Sequence, residues 1–570
     1  MKEFNKILAQ YGIFVKNGKQ DIKDNKIMIF DAEIEEVNFQ KLQEKDIKEI
    51  CIFRSEIKYL YFSNKNTIKI DFRNCNFKNQ IIARELYFEN EVIFQQCIFD
   101  LVVDFSKTKF KCKIDFLTST FKDEVRFIET QFQANQSNNE TIENDFREVI
   151  FERRISFSNA IFQAKVNFTF SQFKDEVSFT KTKFQANQSN DKIIENHFLG
   201  AIFTGKATFD ETIFQARVNF ALSQFKDEVR FIGTQFLAKQ SNNHKIIENE
   251  FREAIFKGKV TFDSLVFNKA RINFLFSIFK DETLFLNINL NNFIFYNVEF
   301  NKTKFACQTP TSTTFCLFQN SIFKDVLIFE GIEFKRLRFI NALFNGAVTF
   351  SNTKLNTKPQ FINCTFSNQF NIEHKYIEYK FDEIEKIQEY DKLLNYRDLF
   401  RKLKSNRIVH HNLIDASELR AQELYTRELE LKYKENKSLK EKIEQWQLFF
   451  YRKLCDHHTN LLLNLKWLVY IIALYVLFLG KIPIAYPACI IVLIVCMYCK
   501  KTKNIQLILS FIIIFITICF SPKLIFGVSN LFSDSLNWWQ NLITAVYMVI
   551  LSLILFSLQK TARKNSIMPN

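Results

Sequence analysis

Phenylalanine recurs along this chain in steps of five and then six residues, and that beat admits very few folds. Phe94, Phe99, Phe105, Phe110, Phe116, Phe121, Phe127 and Phe132 keep it without a slip, so the pattern repeats every eleven residues. It returns at Phe146, Phe151, Phe157, Phe162, Phe168 and Phe173 and persists, with slips, to Phe366. Two residues before each Phe sits a small or β-branched residue. Cys97, Thr108, Ser119 and Thr130 alternate there with Val103, Ile114 and Val125. A helix repeats every 3.6 residues and a strand every 2, so neither alone produces this. A beat of this kind describes a solenoid, in which each short unit buries its apolar residues only by stacking on its neighbours.

The pattern small-x-Phe-x-x, with its longer partner Val-x-Phe-x-x-x, resembles the pentapeptide-repeat family, and most closely its branch with alternating five- and six-residue units. The resemblance covers about residues 72–370. It implies a mainly β fold: a right-handed quadrilateral β-helix whose large residue, and the residue two before it, point inward. Phe almost wholly replaces the Leu of many family members, so the expected core is a ladder of stacked aromatic rings.

A longer period lies over the short one. FKDEV begins at Phe121, Phe173 and Phe225, and FKDET at Phe279. The segments IENDF, IENHF and IENEF end at Phe146, Phe198 and Phe251. Between each pair of markers a polar Gln/Asn/Ser-rich stretch interrupts the beat, giving three similar loops at 133–145, 185–197 and 237–250. Insertions at one place in a repeat leave from one face. These loops are read either as a binding edge or as solvated loops copied with their repeat.

Four domains follow: an N-terminal cap at 1–70, the solenoid at 71–370, a charged helical connector at 371–458 and a transmembrane domain at 459–570. Without the loops the repeat leaves about a dozen coils of about 22 residues, a rod on the order of 55–60 Å at about 4.8 Å per coil. In the connector, Tyr390–Leu403 and Ala416–Tyr433 read as two amphipathic helices, the second capped by Asp415 or Ser417.

Charge locates the membrane. The whole chain carries +15, which on one domain would suggest nucleic acid. Residues 71–370, however, hold 37 basic against 33 acidic side chains, and residues 461–570 hold 9 against 1. Nucleic acid is therefore not an expected partner. Four apolar segments, about 461–479, 482–499, 505–520 and 542–558, are each near the length that crosses a hydrocarbon core. Arg452 and Lys453 precede the first segment, Lys500, Lys501 and Lys503 lie between the second and third, and Lys560, Arg563 and Lys564 follow the fourth. By the positive-inside rule, both termini and the repeat domain face the cytoplasm of a bacterial-type inner membrane. Residues 1–20 hold no apolar signal-peptide core, so no secretory signal is expected.

No constellation for catalysis stands out. The His residues are 197, 244, 374, 410, 411, 457 and 458, and neighbouring His on a helix point about 100° apart. Asp123/Glu124, Asp175/Glu176 and Asp227/Glu228 are paired carboxylates, read as a solvated corner with weak ion pairs beside Lys122, Lys174 and Lys226. Cys75, Cys97 and Cys364 occupy the small inward position. The Cys496/Cys499 pair lacks a second pair for zinc. The expectation is no enzyme, with no catalytic, cofactor-binding or metal residues and no cofactor.

The function read from the sequence is a membrane-anchored, non-catalytic pentapeptide-repeat scaffold for protein–protein interaction, through the solenoid surface or the three loops, with self-association left open. The alternative is a channel-like or transport-related protein whose repeats regulate the membrane domain. Family relatives that mimic DNA use an acidic rod, which this near-neutral segment is not.

Overall fold

The computed structural model of the protein describes residues 2–133, 143–186, 194–238, 246–268, 270–308, 314–479, 503–520, 525 and 537–562. They fall into two compact units, Met1–Glu373 and His374–Asn570.

The first unit is a parallel β-solenoid. One coil contributes strands Val92–Gln95, Ile98–Phe99, Val103–Asp104 and Lys109–Phe110, one to each of four ladders. The next coil pairs onto it in register, Val92 with Ile114, Phe99 with Phe121, Val103 with Val125 and Phe110 with Phe132. Two ladders stand alone with thirteen and nine strands, while N-terminal strands join the other two into one sheet. Thirteen strands at about 4.8 Å make a stack about 58 Å long.

Strands of two residues are too short to hold a sheet by themselves, so the core has to hold them. It does so through four stacks of phenylalanine. Rings at equivalent places in successive coils lie nearly parallel, Phe99 on Phe121 at 4.5 Å between centroids and 6° between planes, Phe132 on Phe162 at 4.3 Å and 1°. Within a coil, neighbouring stacks meet edge to face, as Phe94 does Phe99 at 5.6 Å and 76°. Both arrangements set the positive ring edge against a negative face.

The small inward residues do more than leave room for the rings. Ser119 Oγ donates to the carbonyl of Phe94 (2.6 Å), Thr130 Oγ1 to Phe105 (2.8 Å), Thr182 Oγ1 to Phe157 (2.7 Å) and Ser223 Oγ to Phe198 (2.6 Å). The Cys97 and Cys364 thiols reach the same place, each 3.4 Å from the carbonyl of Phe72 and Phe339. Each bond fills a carbonyl in the buried turn of the coil before. Thr182 is fully buried, so Thr182→Val, equal in shape but without the hydroxyl, is expected to lower stability by about 1–3 kcal/mol. Thr182→Ser should lower it by less than half as much in the same urea titration. Equal losses for the two would contradict a role for the hydrogen bond.

The IEN motifs have a related task. At the inward position where other coils carry Ile70, Val92 or Val166, the loop-bearing coils carry Asn144, Asn196 and Asn249, all fully buried. In an uninterrupted coil the Val92 N–H donates to the carbonyl of Lys113. Where a loop intervenes, the side-chain carbonyl stands in: Asn196 Oδ1 accepts from Val166 N–H (3.3 Å) and Asn249 Oδ1 from Val218 N–H (3.1 Å). A buried N–H left unpaired costs about as much as a lost hydrogen bond, which gives the asparagine its physical reason.

The parallel ladder already runs through the N-terminal seventy residues. After helix α1 (Lys2–Ala9), strands β1 (Ile13–Lys23) and β2 (Lys26–Asn38) form an antiparallel hairpin, so β1 covers the free edge of β2. Helix α2 (Phe39–Glu44) follows, capped by Asn38 Oδ1 on Lys41 N–H (3.1 Å). Strands β3 (Glu49–Phe53) and β4 (Glu56–Tyr61) then pair in parallel with β2, which spans two ladders.

The second unit is helical: α3 (Phe381–Glu385), α4 (Tyr390–Val409), α5 (Leu413–Tyr433), α6 (Leu439–Cys455), α7 (Leu461–Phe478), α8 (Lys503–Phe520) and α9 (Trp538–Ala562). The two connector helices expected from sequence are present and longer, and Asn412, whose Oδ1 accepts from Asp415 N–H, caps the second in place of Asp415 or Ser417. Helices α3 and α6 are additional to the two that the residue spacing predicts. Among the described residues, α7 and α9 are long and apolar enough to cross a membrane, and α8 contains a shorter apolar stretch, Ser510–Cys519. The expected span at 482–499, with Cys496, Cys499 and Lys500, lies outside the described residues.

Helices α7 and α9 run antiparallel. Asn464 Nδ2 donates to Ser557 Oγ (3.0 Å) at one end, the Tyr475 and Tyr547 rings stack at 3.7 Å midway, and Gln540 Nε2 donates to the Leu479 carbonyl (3.2 Å) at the other. The start of α7 and the end of α9 therefore share one side.

Candidate functional site

The loops 133–145, 185–197 and 237–250 lie for the most part outside the described residues, but their points of departure are defined. Each leaves after a strand of the nine-stranded ladder, at Gln131–Phe132, Lys183–Phe184 or Gln235–Phe236. Each is followed by a strand of one neighbouring ladder, Glu143–Asp145, Glu195–His197 or Ile247–Glu250. All three therefore border the same solenoid face along the same edge.

The opposite edge of that face carries a feature the periodicity does not reveal. Its turn places one residue per coil in the left-handed region, φ between about 50° and 65°. In successive coils that residue is Asn74, Gln96, Thr118, Glu148, Phe170, Gly200, Leu222, Glu253, Phe276, Asn297, Asn320, Asn341 and Asn363. Asparagine and glycine suit this conformation. A bulky side chain there strains the backbone by about 1–2 kcal/mol because its Cβ crowds the following carbonyl. Phe170, Leu222 and Phe276 bear that strain and recover little by burial, since 54%, 48% and 51% of their surface is exposed. The Phe170 ring lies across Gly200, where a Cβ would sit 2.5 Å from it.

The left-handed corner diagonally across the coil provides an internal control. There the residues are Glu85, Lys107, Glu129, Asn159, Lys181, Glu211, Gly233, Ser264, Asn287, Gly331 and Asn352, with no apolar side chain among them. Of these two left-handed corners, only the one facing the loops carries apolar side chains among the described residues. Each of the three apolar residues falls on the coil that follows a loop-bearing one, so they stand two coils or about 9.6 Å apart. Between the two edges the face is polar, with Lys165 paired to Glu143 (3.1 Å) and Arg217 to Glu250 (2.9 Å).

The paired carboxylates are explained by local bonding. Asp123, Asp175 and Asp227 each accept the N–H of the following Glu at 2.7–2.8 Å. Glu124 forks onto Arg126 (3.0 and 2.6 Å), and Glu228 meets Lys206 (2.8 Å) from the preceding coil. Lys122 and Lys174 turn instead to Asp100 (2.8 Å) and Glu152 (2.7 Å). Among the described residues one cluster has metal-ligand chemistry, Glu49, Cys51 and Asp71. Its carboxylates already hold cations: Lys26 lies 3.1 Å from Glu49, and Arg73 forks onto Asp71 at 2.7 and 3.0 Å. Burial pushes the Cys51 thiol up to about 11, so it stays protonated.

In the helical unit, a groove of about 1030 Å³ is lined in part by Phe381, Tyr425, Arg452, Asp456, Lys466 and Trp467. Its walls are locked by internal bonds. Arg452 forks onto buried Glu428 (2.7 and 2.8 Å) and stacks on Phe381 at 3.8 Å, and the Tyr425 hydroxyl donates to Asp456 (2.5 Å). Burial holds His457 down at about 3, so it is neutral at physiological pH. His410 and His411 are exposed, His374 pairs with Glu418 (2.8 Å), and His244 lies outside the described residues.

These observations define a class, a parallel β-solenoid with an aromatic-ladder core followed by a helical region containing two candidate membrane helices. Compared with known family models, curated proteins and solved structures, the chain matches none.

Proposed function

We propose that the protein is a membrane-anchored, non-catalytic scaffold of the pentapeptide-repeat type, its solenoid a right-handed quadrilateral β-helix that holds a protein partner. The anchor comprises four spans near 461–479, 482–499, 505–520 and 542–558, with both termini and the solenoid on the cytoplasmic side of an inner membrane. What supports membrane crossing is the length and apolarity of α7 and α9 and their antiparallel pairing.

The observation that carries the interaction reading is the row Phe170, Leu222 and Phe276: exposed apolar side chains held at a backbone cost, on the one edge that faces the loops. The partner this chemistry fits is a folded protein that places apolar side chains about 10 Å apart over the edge and polar groups over the intervening face. Replacing all three by asparagine should preserve the solenoid, because asparagine occupies the same turn at five other coils. Photo-cross-linking in intact cells from a probe at Asn219, on the face itself, should yield a discrete adduct that falls about tenfold in the triple variant. An adduct of undiminished yield would overturn the assignment of this edge.

A further inference from the structure

Helix α6 is amphipathic the wrong way round for a helix surrounded by water. At about 100° per residue, Leu439, Ile443, Trp446 and Phe450 fall within about 60° of arc. They are open to solvent, Leu439 at 76%, Ile443 at 60% and Trp446 at 74%. The opposite side carries the partners: Arg427 of α5 forks onto Glu444 (2.9 and 2.9 Å), Lys434 meets Glu441 (2.5 Å), and Leu448 is buried. Both acidic residues of α6 are thus neutralised against the rest of the unit. Lys440, Lys442 and Lys453 remain exposed beside the apolar stripe.

The position of α6 says what covers the stripe. Its last turn is seated on the shared end of α7 and α9: Leu454 and Cys455 pack with Ile554, against Trp467, Leu468 and Ile471. Trp467 Nε1, in the second turn of α7, donates to the carbonyl of Lys453 (2.7 Å). The chain turns between the helices through Asp456, His457 and His458, three successive left-handed residues. His458 Nδ1 lies 3.5 Å from Cys455 Sγ and 3.3 Å from Ser557 Oγ, tying that turn to α9. Lys466 and Lys560 sit at the same end of the pair. The stripe therefore ends beside the place where α7 begins and α9 ends, with cations along its border.

We infer that α6 lies in the plane of the bilayer surface, its Leu439–Ile443–Trp446–Phe450 stripe in the acyl boundary and its lysines among anionic headgroups. Such a helix combines buried apolar area with electrostatic attraction to the leaflet. It would set the depth and orientation of α3, α4 and α5 in its own unit. The inference rests on the membrane reading above.

The test uses the full-length protein in phosphatidylcholine–phosphatidylglycerol vesicles whose acyl chains are brominated either near the carbonyl or near the terminal methyl. The difference in emission between the wild type and Trp446→Phe isolates Trp446. That emission should fall about twofold with shallow bromine and clearly less with deep bromine, as an interfacial depth requires. Ile443→Glu should weaken the shallow quenching. If Trp446 is unquenched while Trp467, Trp538 and Trp539 are quenched and the protein resists alkaline carbonate, the membrane reading stands and this inference falls. If carbonate strips the protein and no tryptophan is quenched, both fall. A Trp446 shielded from aqueous iodide yet blind to bromine is covered by protein, a second copy included, and also overturns it.

Discussion

Phe220→Ala is expected to lower the stability of the solenoid by about 3–5 kcal/mol, the range for removing a fully buried ring that its surroundings cannot replace. Phe220 is fully buried, stacked between Phe198 (4.6 Å) and Phe251 (4.8 Å) and met edge-on by Phe209 (5.3 Å). Its loss would cut one of four stacks in mid-column. Each coil touches only its neighbours, so the hole cannot be spread over a larger core. Urea unfolding of the detergent-solubilised chain, followed by the strand signal in circular dichroism, reads the effect. Phe170→Ala provides the contrast two coils away. It removes an exposed ring, so a change within about 0.5 kcal/mol is expected. A Phe220 effect below about 1 kcal/mol, or one equal to that of Phe170, would contradict the inward and outward assignments.

Arg452→Met should cost about 3–5 kcal/mol in the helical unit, because it leaves the Glu428 carboxylate without its counter-charge in a buried site. The Glu428 side chain is 8% exposed, and its two oxygens accept the guanidinium fork at 2.7 and 2.8 Å. The same guanidinium covers the Phe381 ring at 3.8 Å, a cation–π interaction that the substitution also removes. Replacing both partners, Arg452→Met with Glu428→Met, should restore most of the stability, since no unpaired charge then remains. Arg452→Lys should not, because an ammonium cannot reproduce the planar two-point geometry. Thermal unfolding followed by the helical signal distinguishes these outcomes. A double variant as unstable as the single one would mean that packing, rather than charge pairing, is what Arg452 contributes.

Much of the solenoid was legible from residue spacing. A Phe every five or six residues with a small residue two before it implies stacked coils whichever way the chain turns, and the rings are where that pattern puts them. The shared edge of the three loops was legible too, because equal insertions at equal places in a repeat must leave together. The connector was only partly readable. Residues 439–455 hold Glu441 and Glu444 among lysines and aromatics, a mixture that reads as surface until Arg427 and Lys434 are seen to neutralise the acids from the α5 side.

The candidate site was not legible, and the reason is geometric. Phe170 lies between Phe168 and Phe173, off the beat, and in a chain of 68 phenylalanines one more off-beat ring carries no signal. Periodicity reports whether a residue points in or out once the coil is known. It does not report which outward residue sits at a left-handed turn. Asn144, Asn196 and Asn249 show the same limit, because IEN repeats visibly in sequence while the N–H that its asparagine accepts belongs to the preceding coil.

By itself, the sequence determined the repeat, its inward code, the near-neutral charge of the rod and the basic, apolar character of the tail, since each depends only on the order of residues along one line. The four-stack packing of the rings, the strained apolar edge facing the loops and the outward stripe of α6 were decided only by tertiary structure. Each arises where residues 20 to 100 positions apart meet, as Val166 meets Asn196 and Ser557 meets His458. Hydrogen bonds, ring stacking and burial act over a few ångströms of space, and spacing along the chain leaves most of those distances open.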